Sequence, residues 1–172
     1  MRNQILIVYY FTFWNLTFAV NDIEYLNLTC EASALKTIEF HVCECYKRLI
    51  SLDFSVTRPV NNWKVDMKFF LKRGNKFFEI FKTPPIDWCK IVGGKSRALS
   101  FQKILLKSLQ SSAAKFIHPC PYQGKYTAFN ITAPKDVIEI FPTGSFKLNL
   151  KIYDTIDSDI ANFNLRYDIF TV

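Results

Sequence analysis

The chain has 172 residues, 49% of them hydrophobic and 16% aromatic, with 17 Phe and a formal net charge of +7. This composition excludes a disordered chain and suits one domain with a real hydrophobic core. The cations are scattered, with Lys47-Arg48 and Lys72-Arg73 the adjacent pairs, so they read as solvated faces and no nucleic-acid partner is expected.

At the N-terminus Arg2 is the last charge before Asp22, and Ile5 to Val20 is apolar apart from Thr12, Asn15 and Thr17. A short basic start, an apolar run and small Thr17 and Ala19 have the pattern of a secretory signal peptide over 1–19, cleaved after Ala19. The run is shorter than the ~20 apolar residues of a comfortable membrane span, and no second run follows. The mature chain, 20–172, is therefore expected to be one secreted, extracellular domain with no transmembrane segment. Loss of Arg2 changes its balance to 21 − 15 = +6.

Beyond the leader, period-two alternation dominates and predicts half-buried strands. Ile50, Leu52, Phe54 and Val56 alternate with Ser51, Asp53 and Ser55. Trp63, Val65, Met67, Phe69 and Leu71 alternate with Lys64, Asp66 and Lys68. Phe146, Leu148, Leu150 and Ile152 share one side of a third run, and Ala161, Phe163, Leu165, Tyr167 and Ile169 share one side of a fourth. Less regular strands are predicted over 23–29, 37–42, 76–82 and 125–131. Turn signals at Arg73-Gly74-Asn75, Thr83-Pro84-Pro85 and Pro142-Thr143-Gly144 separate these runs, and Gly74-Asn75 predicts a hairpin. Eight such strands give two antiparallel sheets packed face to face. Over 96–115 the spacing is helical instead: Ala98, Phe101, Leu105 and Leu109 line one stripe of an inserted amphipathic helix.

Five cysteines, Cys30, Cys43, Cys45, Cys89 and Cys120, point to disulfides in an exported chain, with one left over. A bridge from Cys89 to Cys120 would enclose about thirty residues and stabilise by roughly 3–4 kcal/mol. His41 and His118 are the only histidines, which leaves Cys43-Glu44-Cys45 short of ligands, so no metal is expected. Asn27-Leu28-Thr29 and Asn130-Ile131-Thr132 are glycosylation sequons, at Asn27 and Asn130. Gly93-Gly94-Lys95-Ser96 lacks the first glycine of a phosphate loop, since position 89 is Cys. His118 near Cys120 suggests a thiol nucleophile only if Cys120 is reduced. No nucleophile elbow, zinc-protease helix or dinucleotide turn is present, so neither catalytic residues nor a cofactor are expected.

The order of motifs carries a resemblance. Cys30, then Ile38-Glu39-Phe40-His41-Val42-Cys43 and Lys47-Arg48, are similar to the opening of a large insect family of secreted proteins of unknown function. Arg58-Pro59-Val60-Asn61-Asn62, Phe70-Leu71-Lys72-Arg73 and Asp87-Trp88-Cys89-Lys90 continue the match. His118-Pro119-Cys120-Pro121-Tyr122-Gln123-Gly124 and Phe141-Pro142-Thr143-Gly144-Ser145-Phe146 are its most specific segments. That family resembles a divergent branch of the ML lipid-recognition group, which includes the ganglioside activator and a lysosomal cholesterol carrier. The resemblance implies an immunoglobulin-like two-sheet β-sandwich with the inserted helix, and it pairs Cys89 with Cys120 and Cys30 with Cys43. Cys45 and Ser145 depart from the family pattern.

The function so implied is non-enzymatic binding of a lipid or other hydrophobic small molecule between the sheets, in chemosensory or pheromone-related signalling, with a membrane receptor as a further partner. The expected cavity lining is Phe54, Met67, Phe69, Phe78, Leu105, Phe129, Phe146, Leu148, Phe163 and Leu165. Composition alone favours rings interdigitated in a filled core, and it is the resemblance that turns the expectation to a cavity. The competing expectation is then an extracellular protein-interaction module with no small ligand.

Overall fold

The computed structural model describes residues 20–94, 110, 113–154 and 159–172. The leader, most of the predicted helix and Leu105 lie outside them. All eight predicted strands are present, most of them extended at one or both ends: β1 (Asn21–Ala32), β2 (Ile38–Tyr46), β3 (Leu49–Val60), β4 (Lys64–Arg73), β5 (Lys76–Lys82), β7 (Tyr122–Ile131), β8 (Gly144–Tyr153) and β9 (Asp159–Thr171). A two-residue strand, β6 (Ile86–Asp87), pairs with the start of β4. Two short helices, α1 (Trp88–Val92) and α2 (Lys135–Ile138), and a 3-10 turn over Ala114–Phe116 fill the connections.

The strands form two antiparallel sheets, a β-sandwich. The larger has the order β1-β9-β8-β4-β5, and the smaller β2-β3-β7. The predicted hairpin closes with Arg73 opposite Lys76, and Gly74 has φ +59, a value glycine adopts without strain. β1 packs on β2, and the Cys30–Cys43 disulfide ties the two there. β5 is an edge strand of the larger sheet, and all of its residues but Phe77 are exposed.

Inner-face side chains make two cores. One gathers Val56, Trp63, Val65, Ile86, Trp88 and Ile160 with their neighbours, and the other Ile23, Tyr25, Ile138, Phe146, Tyr167 and Ile169. Between these cores the burial falls. Along β8 the inward residues run Phe146 (1% exposed), Leu148 and Leu150 (both half-buried) and Ile152 (7%). Along β9, Ala161 (0%) and Tyr167 (5%) bracket half-buried Phe163 and Leu165. Alternating apolar residues close the sandwich at its ends and leave its middle open.

Candidate functional site

The open middle is a cavity of about 260 Å³. Its walls come from both sheets: Leu148, Leu150, Phe163 and Leu165 on one side, Ile50, Leu52 and Phe54 on the other. Leu28 of β1 and Ile131 of β7 flank it, and Trp63, Met67, Trp88, Phe116 and Tyr122 complete one end. A dry apolar cavity of about 150 Å³ already admits benzene, so this one has room for an apolar group.

The polar atoms at that end are occupied. Trp88 donates its indole N–H to the Tyr122 hydroxyl at 2.9 Å, and that hydroxyl donates to the Phe116 carbonyl at 2.8 Å. Beside them His118 stacks near Tyr122 with ring centres 4.3 Å apart, while its Nε2 lies 2.9 Å from the Tyr126 hydroxyl and its Nδ1 2.8 Å from the Pro119 carbonyl. The adjacent Cys120 is joined to Cys89, so it offers no thiol to His118. Trp88 is held in place by this bridge on its neighbour and by Asp87, whose carboxylate accepts from the Lys90 N–H at 3.0 Å and caps α1. Burial alone would raise the Asp87 pKa; the hydrogen bonds and charge of Lys90 outweigh it and hold the carboxyl below its ordinary value.

The structure brings together five of the expected lining residues, Phe54, Met67, Leu148, Phe163 and Leu165. Phe69 and Phe146 point inward but belong to the closed cores, Phe69 against Phe141 and Phe146 against Tyr167. Two expectations are corrected. Phe129 is 55% exposed, because Tyr122, Tyr126 and Ala128 take the inner face of β7 and the next residue points outward. Phe78 is 49% exposed: it pairs with inward Leu71, but it does so on an exposed edge strand. Trp63, Trp88, Tyr122, Leu28 and Leu52 line the cavity and were absent from the expected set.

Both sequon asparagines are exposed, and Asn130, the penultimate residue of β7, has φ +58. Cys45 is the free cysteine; it is half-buried against the second core, and burial pushes its thiol pKa up. Burial likewise raises Tyr25, to about 12, against the opposing hydrogen bond from the Ala133 N–H and with a small addition from Cys45. Tyr167 is raised by burial and by neighbouring Tyr25.

Among the described residues no three His, Cys, Asp or Glu side chains are grouped to hold a metal ion, and no helix is long and apolar enough to cross a membrane. What the site offers is an apolar chamber with its wall polarity already satisfied. None of the curated proteins matches the chain. A family described as "Protein of unknown function (DUF1091)" matches residues 62–148, a stretch that supplies Trp63, Met67, Trp88, Tyr122 and Leu148 to the chamber. The chain belongs to that family of uncharacterised proteins.

Proposed function

We propose that this protein is a secreted, non-enzymatic carrier that holds a lipid or other hydrophobic molecule between its two sheets, in the manner of the ML-like sandwiches it resembles. The observation that carries the reading is the contrast along β8 and β9, where inward residues are sealed at both ends and half-buried in the middle around the apolar cavity. Burial of acyl methylenes there contributes about 0.8 kcal/mol each. With Trp88 and Tyr122 bonded to each other, recognition rests on shape and apolar contact rather than on a polar anchor. The two disulfides accord with an oxidising, extracellular setting. Storage, solubilisation or presentation of the ligand, as in chemosensory signalling, requires no covalent step.

Native mass spectrometry of protein secreted by eukaryotic cells, before and after organic extraction, tests this. The expected result is a small-molecule adduct that extraction removes and an offered fatty acid or hydrocarbon restores. A clean unliganded mass, with no uptake from a panel of lipids, would reject the carrier.

A second reading is favoured by β5. Phe78 and Ile80 are exposed on this edge strand of the larger sheet, beside unpaired backbone, the arrangement of an extracellular interaction module. Alanine at both positions would abolish partner capture under that reading and leave lipid uptake unchanged under the first.

A further inference from the structure

The outward face of the larger sheet carries a second concavity, unrelated to the apolar chamber. Register fixes its layout. One row across the sheet runs Thr29, Asn164, Asn149, Lys68 and Lys82, and the next Glu31, Asn162, Lys151 and Asp66. These residues, except Thr29, line a polar trough of about 360 Å³. On one side the neighbouring row of the sheet has Lys147 over Phe70 at 4.5 Å and Arg166 over Phe77 at 5.8 Å. The other is held by the Lys151–Asp159 ion pair at 2.6 Å and by Tyr153 donating to Asp66 at 3.0 Å.

Sheet faces turned to solvent normally leave their polar side chains hydrated. Here Asn149, Asn162, Asn164, Asp66 and Lys68 are half-buried, and Asn149 Oδ1 is out of contact with solvent and accepts no hydrogen bond. A buried acceptor without a donor costs about 1–3 kcal/mol, a cost that a donating ligand, admitted by movement of the neighbouring side chains, would remove. Lys68 and Lys82 form no ion pair among the described residues. Amides on the floor and ammonium groups at one end suit a ligand rich in hydroxyl and acetamido groups.

Such a ligand has an attachment point beside the trough. Asn27 is exposed on the edge strand β1 and opposite Arg166; a bulge between Tyr25 and Asn27 turns Leu28 into the cavity and Asn27 outward. Asn149 lies two strands across and two residues along the sheet, about 12 Å away, a distance that the first sugars of an Asn-linked chain span. We infer that the trough is a carbohydrate site, filled by the oligosaccharide on Asn27 of the same chain: the acetamido and hydroxyl groups of its inner sugars bond the Asn149, Asn162 and Asn164 amides, with the bordering lysine side chains swung aside. Asn130 lies on the other sheet, away from this trough.

This inference shares the premise of export with the carrier reading but not that of an apolar ligand. Glycopeptide mass spectrometry of the secreted protein should find Asn27 modified. Asn27→Gln and Asn149→Ala should each lower the melting temperature of the glycosylated protein by roughly 2–4 °C. Asn149→Ala should have no such effect in the Asn27→Gln background, because the contact is already lost. Full additivity would mean a glycan standing free in solvent and would overturn the inference. In unglycosylated protein, millimolar N,N′-diacetylchitobiose should shift the Asn149 and Asn164 side-chain amide signals. A shift with Asn27 unmodified in secreted protein would assign the site to a foreign glycan and reject the Asn27 chain as its occupant. Unmodified Asn27 with no shift would reject carbohydrate altogether.

Discussion

The indole N–H of Trp88 and the hydroxyl of Tyr122, 2.9 Å apart, join α1 to β7 at one end of the apolar chamber. The same hydroxyl donates to the Phe116 carbonyl, so one oxygen satisfies both a donor and an acceptor beside a greasy space. The chamber can stay apolar because this relay exists.

Tyr122→Phe removes the oxygen while keeping the ring, and leaves a donor and an acceptor unpaired. The variant should lose about 1–3 kcal/mol in chemical denaturation. Apolar-probe uptake should persist, since the ring still lines the wall. A loss of uptake at full stability would mean that the hydroxyl contacts the ligand.

The two cores and the space between them should respond differently to truncation. Phe146, fully buried in the second core, should cost about 3–5 kcal/mol on change to alanine. Leu148, two residues on and facing the void, should cost less than about 2 kcal/mol, because part of its surface is already unpacked. Denaturation midpoints of the two variants check this, and equal costs would indicate a filled middle.

The disulfides close loops of unequal length, with sequence separations of 31 for Cys89–Cys120 and 13 for Cys30–Cys43. In the chain-entropy estimate they contribute about 4 and about 3 kcal/mol. Replacing both members of the longer bridge by serine should lower stability more than replacing those of the shorter, and should also loosen Trp88. Near-ultraviolet circular dichroism reports the latter directly.

At alkaline pH the fold should weaken through Tyr25 and Tyr167. Both hold their protons longer in the folded protein than in the unfolded chain, whose tyrosines titrate near 10. Their contribution is complete below about pH 10 and is lost as pH rises, by about 1.4 kcal/mol per unit for each tyrosine, with Tyr25 spent by about 12. Tyr167→Phe should flatten this decline between pH 10 and 12, as measured by urea midpoints. An unchanged slope would place the alkaline loss elsewhere.

Alternation made the strands legible, because a sandwich buries one side of each strand and side chains repeat every two residues. It failed where parity or neighbourhood changed. In β1 the bulge after Tyr25 reverses parity and delivers Leu28 to the cavity, which no period-two count anticipates. Phe129 belongs to the expected lining, whereas Ala128 and Tyr126 hold the inner face. Phe78 has inward parity, but only the strand order shows that β5 is an edge strand. Trp88 enters the chamber from a five-residue helix too short to display a period. Which inward rings face a gap and which face each other depends on how the two sheets separate, and side-chain spacing within one strand carries no record of that.

The chain has three tryptophans, Trp14, Trp63 and Trp88; the two outside the predicted leader both line the chamber. Intrinsic fluorescence of delipidated mature protein therefore reports on the space itself. Titration with a brominated acyl chain should quench this emission saturably, at one site per chain, and unbrominated chain should reverse it by competition. Quenching that rises only linearly, as for an indole free in solution, would contradict an apolar chamber open to ligand.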